Sequence, residues 1–145
     1  METYRKMKKR HQAEVDAFPM FAAFSETQMT KGLKKLGLDP DKGYKDVMSI
    51  GAGCYIRKTD EDAFLAMMNR HKDERQQGID ADPDGTGFIF QMFRTELSYY
   101  EYSFTEDVSD TLEALGLTVD DVNASPALLN GLDLACKACI AEDEP

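Results

Sequence analysis

A chain of 145 residues with 42% hydrophobic and 30% charged side chains has the length at which one hydrophobic core is the usual solution, and is too apolar to stay disordered. The formal charge of −10 is unevenly placed: residues 1–10 hold five Lys/Arg against one Glu, whereas residues 101–145 hold 11 Asp/Glu against Lys137 alone. Such an acidic surface repels nucleic-acid phosphates, and the longest nearly uncharged apolar run, residues 17–24, is far short of the roughly 20 residues that cross a bilayer.

The expectation is therefore a single domain over residues 1–145, cytoplasmic, with neither a membrane nor a direct nucleic-acid partner. The basic amino terminus opens a polar helix rather than an apolar signal core. Three cysteines do not make a disulfide framework in a chain large enough to build a core.

Residues 1–15 favour a helix, with Tyr4, Met7, His11 and Val15 in one thin apolar stripe. Phe18-Pro-Met-Phe-Ala-Ala-Phe24 follows, either the start of a new helix or a buried connection, and both readings place its Phe side chains in the core. Ser25 with Gln28 is a capping pattern; Met29, Leu33 and Leu36 then share a face, and Gly37-Leu38 reads as a left-handed stop. Residues 47–58 hold too much glycine for a helix and enough β-branched and aromatic residues for a short hairpin centred near residues 51–53.

Thr59-Asp-Glu-Asp62 opens a second capped helix through Phe64, Met67, Met68 and His71, expected to end near Gly78. Beyond an acidic loop, Ile89, Phe93, Leu97 and Tyr100 mark the central core helix. Thr105 is read as the cap of a helix with Val108, Leu112 and Leu115 inward, and Thr118 as the cap of a short turn to Val122. Ser125-Pro126 starts the last helix, with Leu129, Leu132 and Cys136 on one face and residues 141–145 as a frayed tail. The fold class is α+β: mainly helical, one hairpin, and a single core holding Met29, Leu33, Leu36, Phe93, Leu97, Leu112, Leu115 and Leu132.

Asp80-Ala-Asp82-Pro-Asp84-Gly85 matches the first half of a calcium loop, with Thr86 and Gln91 at later ligand positions. Gln91 stands where a bidentate Glu should close such a site, so the pattern reads either as a weak calcium module or as an ordinary acidic turn. Cys136-Lys-Ala-Cys139 is a lone pair without two further zinc ligands, two histidines outside any motif supply no nucleophile-base grammar, and Gly51-Ala-Gly53 lacks the rest of a phosphate loop. No cofactor and no enzymatic activity is expected. The cluster Tyr99, Tyr100, Glu101, Tyr102 serves either as core rim or as interface.

The blocks Phe18-Pro-Met-Phe, Phe24-Ser-Glu, Leu36-Gly-Leu38, Ile50-Gly-Ala-Gly, Tyr55-Ile-Arg-Lys58, Glu96-Leu97, Glu101-Tyr102 and Leu115-Gly-Leu117 resemble an uncharacterised family of small acidic proteins carried by bacterial mobile elements and phages. Members carry His before the Glu-Tyr pair, where this chain has Tyr100. The resemblance brings no activity with it; it implies a phage or plasmid setting and action by binding a host protein. The functional expectation is a non-enzymatic accessory protein that docks its acidic final third on a basic protein surface, through Tyr99, Tyr100, Glu101, Asp107, Asp110, Glu113, Asp120 and Asp121.

Overall fold

The computed structural model describes residues 2–143. In chain order these form α1 (Tyr4–Ala17), β1 (Phe21–Ala22), α2 (Glu26–Lys35), β2 (Val47–Gly51), β3 (Cys54–Arg57), α3 (Glu61–Asp80), α4 (Phe88–Tyr99), α5 (Tyr102–Thr105), α6 (Ser109–Ala114), α7 (Val119–Ala124) and α8 (Pro126–Asp143). The fold is α+β and mainly helical, as expected, with one small antiparallel sheet. The chain divides into two compact units, Met1–His11 with Lys72–Pro145, and Gln12–His71.

The unit Gln12–His71 is organised by local capping and by the hairpin. The Ser25 hydroxyl accepts from the Gln28 amide at 3.2 Å, and the Gln28 side chain in turn accepts from the Phe24 amide at 2.6 Å. At the other end of α2, Gly37 takes φ +75° and the Leu38 amide reaches back to the Leu33 carbonyl at 2.8 Å, which satisfies an otherwise orphaned helix carbonyl. Strands β2 and β3 pair with Ser49 opposite Tyr55 and a bulge before Gly51 opposite Cys54.

The segment after α1 is neither a helix start nor a wholly buried connection. Phe21 and Ala22 pair with Tyr55 and Cys54, giving a three-stranded sheet in the order β1-β3-β2. Strand alternation then decides the phenylalanines: Phe21 is buried and stacks on Tyr55 at 5.5 Å, whereas Phe24 is 78% exposed and does not join the core. Phe18 is half-buried and meets Phe64 edge-on at 5.5 Å. Glu14 binds Arg70 and, at 3.0 Å, His71; together they hold the Glu14 carboxyl down to about 2.

The other unit packs around α4. Ile89, Met92, Phe93 and Leu97 are fully buried, in a cluster that also takes Tyr4 and Met7 from α1, Leu112 and Leu115 from α6, Val122 from α7, and Leu128, Ala135 and Cys139 from α8. The eight residues assigned to one core therefore fall in two clusters. Leu33 and Leu36, with Met29 half-buried beside them, belong to the sheet unit, and the rest to the α4 unit, Leu132 only at its edge.

Other boundaries also move. Helix α3 runs two residues past Gly78, to Asp80. The buried line of α8 passes through Leu128 rather than Leu129, which is 46% exposed. Thr105 ends the four-residue α5 instead of capping α6; the Asp107 carboxylate does the capping, accepting from the Ser109 amide at 2.8 Å. Of the expected frayed tail, residues 141–143 are helical, and residues 144–145 lie outside the described residues. No helix among the described residues is long and apolar enough to cross a membrane.

Candidate functional site

The acidic final third begins where α4 stops. The Tyr100 amide closes the helix on the Glu96 carbonyl, and the chain then passes through Glu101 at φ +57° into α5 and leaves it through Glu106 at φ +56°. Two non-glycine residues in the left-handed region cost about 1 kcal/mol or more each, so this short helix is held against local preference. Its anchor is Tyr102, half-buried, whose bond to Cys136 and burial push the hydroxyl up to about 12. Phe104 is left 89% exposed, the highest value of any large hydrophobic side chain described.

Tyr99 is 72% exposed and its ring meets that of Tyr100 edge-on at 4.9 Å. Tyr100 itself is half-buried, and burial followed by the charge of Glu96 raises its hydroxyl. The tyrosine pair thus divides the two roles foreseen for it, Tyr99 on the surface and Tyr100 at the core rim.

All six acidic positions singled out, Glu101, Asp107, Asp110, Glu113, Asp120 and Asp121, are exposed. Two of them also shape the backbone. Asp107 caps α6, and the Ser109 hydroxyl and amide hold its carboxyl below the usual range. Asp121 completes a capping box with Thr118: its carboxylate accepts from the Thr118 amide at 2.9 Å, and the Thr118 hydroxyl accepts from the Asp121 amide at 3.1 Å. Lys137, the one base in this third of the chain, pairs with Asp133 at 2.8 Å. The other four, Glu101, Asp110, Glu113 and Asp120, project their charge into solvent.

The residues of the calcium-like pattern have other occupations. Asp80 accepts from the Gln76 amide nitrogen at 2.8 Å, and Asp82 accepts from the amides of Gly87 at 3.0 Å and Ile89 at 2.9 Å, capping the first turn of α4. Asp84 is exposed, and its backbone carbonyl takes the Asn130 side chain at 2.8 Å. Thr86 and Gln91 line a cavity of about 700 Å³ beside Arg5 and Arg94. Gly85 is required by packing: at φ +74°, a side chain there would start 2.0 Å from the Ala127 carbonyl oxygen of α8. Among the described residues, no group of three or more His, Cys, Asp or Glu is arranged to hold a metal.

The cysteine pair lies on α8 with Cys139 buried, its sulfur 3.7 Å from the Ser98 hydroxyl, and burial raises the Cys136 thiol. Both histidines sit against carboxylates, His11 on Glu74 at 3.2 Å and His71 on Glu14 at 3.0 Å.

One polar cluster carried no sequence signal. Glu96 is buried in the α4 unit, where it accepts from the Tyr4 hydroxyl at 2.7 Å and the Lys8 ammonium at 2.5 Å, while Lys8 also lies 5.8 Å from the Tyr99 ring centre. A buried carboxylate must be matched this way, because an unpaired one costs several kcal/mol. Its partners are 92 and 88 residues away in sequence, out of reach of any local pattern.

Comparison with curated proteins finds no match, and neither does comparison with solved structures. A family model does match, over residues 3–138, which takes in both units and nearly all of the acidic third. The chain therefore belongs to the family of unknown function DUF7659.

Proposed function

We propose that this chain is a non-enzymatic binding protein that docks the acidic face of its final third on a basic protein surface. The observation that carries the reading is Phe104, 89% exposed on a four-residue helix held between two left-handed glutamates. An aromatic side chain kept in water at a cost in backbone strain suits a docking anchor, and a few buried aromatic anchors carry much of the energy of protein interfaces. The carboxylates of Asp110, Glu113 and Asp120 supply the field that draws in a basic partner and sets its encounter rate. The resemblance to proteins of phages and mobile elements supports a host protein as that partner.

The test is capture from host lysate with the wild-type chain, with Phe104→Ser, and with the triple neutralisation Asp110→Asn, Glu113→Gln, Asp120→Asn. Asp107 and Asp121 are left intact because they cap helices. A basic partner lost by both variants, with an association rate that falls steeply as salt shortens the screening length to about 8 Å, is the expected result. The same partners captured by all three proteins, each folded, would reduce the acidic face to a solvated surface.

A further inference from the structure

The unit Gln12–His71 carries a groove of about 670 Å³ whose walls include the rings of Phe24, Tyr44 and Tyr55 and whose rim includes the carboxylates of Glu26 and Asp41. We infer that this groove is a recognition site for a peptide segment presenting an Arg or Lys side chain next to an apolar residue. It is independent of the acidic final third, and either reading stands if the other fails.

The aromatic wall is built into the backbone. The Ala23 amide donates to the Gly53 carbonyl at 2.9 Å, which extends the pairing of β1 and sets the next side chain, Phe24, against the hairpin turn. Gly53 has φ +75°, and a methyl group there would lie 2.3 Å from the Phe24 ring, so the ring rests directly on the turn. With its amide also held by Gln28, Phe24 is fixed in place while 78% exposed, and Tyr44 is 56% exposed.

The chemistry of the lining selects the ligand. Aromatic faces attract cations through their quadrupole, and the Tyr44 ring already carries the Lys45 ammonium 5.8 Å from its centre. Glu26 and Asp41 are exposed and make no ion pair among the described residues, so two carboxylates border the rings without a cation of their own. Carboxylate plus aromatic face is the combination that binds a planar guanidinium by hydrogen bonds and stacking together. The volume lies within the range of sites for drug-sized ligands, more than one alkyl-guanidinium fills, and the half-buried Met29 side chain, backed by the core residue Leu33, offers apolar surface for a neighbouring residue. That surplus favours a peptide over a small organic cation.

The probes are the tripeptide acetyl-Leu-Arg-Leu-amide, its neutral isostere with citrulline for arginine, and n-butylguanidinium, each titrated into the full chain and followed by amide NMR shifts. The arginine tripeptide should move the amides of Ala23, Leu33 and Tyr44 and bind at least about tenfold more tightly than the citrulline peptide, a difference of about 1.4 kcal/mol. In the double variant Glu26→Gln, Asp41→Asn the two peptides should bind alike, and Phe24→Ala should weaken both, with unchanged melting temperatures. Equal affinity of the two peptides for the wild-type chain, absence of binding by either, or shifts confined to residues outside the groove would overturn the assignment. Butylguanidinium binding as tightly as the arginine tripeptide would overturn the peptide as the ligand.

Discussion

Thr111, in α6, is completely buried and its hydroxyl has no hydrogen-bond partner among the described residues. A buried hydroxyl left unmatched carries a desolvation penalty of about 1–3 kcal/mol. Thr111→Val removes it with almost no change of shape, and the two residues have nearly equal helix propensity, so nothing large opposes the gain. The expected outcome is stabilisation by about 1–2 kcal/mol. For a chain of this size each kcal/mol moves the melting temperature by about 2–4 °C, which places the variant roughly 2–8 °C above the wild type. Thr111→Ser supplies the control, because it keeps the unmatched hydroxyl and loses a packed methyl, at a cost of about 1 kcal/mol. Both are read by calorimetry and by the urea midpoint at constant slope. A valine variant that melts below the wild type would refute the reasoning, since it would mean that the hydroxyl is bonded in the folded state.

The remaining predictions test the core and the charge network. Leu97→Ala, at a site with no exposed surface, should cost about 2–5 kcal/mol, whereas Leu129→Ala, at 46% exposure, should cost within about 1 kcal/mol; similar costs would contradict the register of α8. Glu14 is depressed from 4.5 to about 2 by Arg70 and His71, so its contribution is present above pH 4.5 and lost as the pH falls toward 2. Acid unfolding curves of wild type and Glu14→Gln should accordingly converge over that interval, and a constant separation would refute the pairing.

What the sequence reveals of this molecule follows the range of the interactions. The end of α2 at Gly37, the hairpin at residues 47–58 and the start of α7 at Thr118 depend on neighbours within a few positions, and each lies where its residues point. Strand β1 does not: Phe21 and Ala22 become a strand only because Tyr55 and Cys54 offer an edge, and that pairing turns Phe24 outward. The face of α8 is illegible for another reason. Leu128, Leu129, Leu132, Leu134 and Cys136 spread apolar character around the helix, so periodicity does not choose between Leu128 and Leu129. The acidic final third was visible as composition, but the exposure of Phe104 rests on two left-handed glutamates, and glutamate announces no such conformation.

The bond from Tyr4 to Glu96 joins residues 92 positions apart, and it bears on how the chain matures as it is made. Closing a loop of that length costs roughly 4 kcal/mol of chain entropy before any contact repays it. During synthesis, residues 12–71 emerge complete and can settle their sheet and its capped helix at once. Tyr4 and Met7, although made before that segment, wait with their apolar surfaces in water until α4 and α8 have left the ribosome. A segment made early is thus buried late, and in that interval it is open to chaperones and proteases.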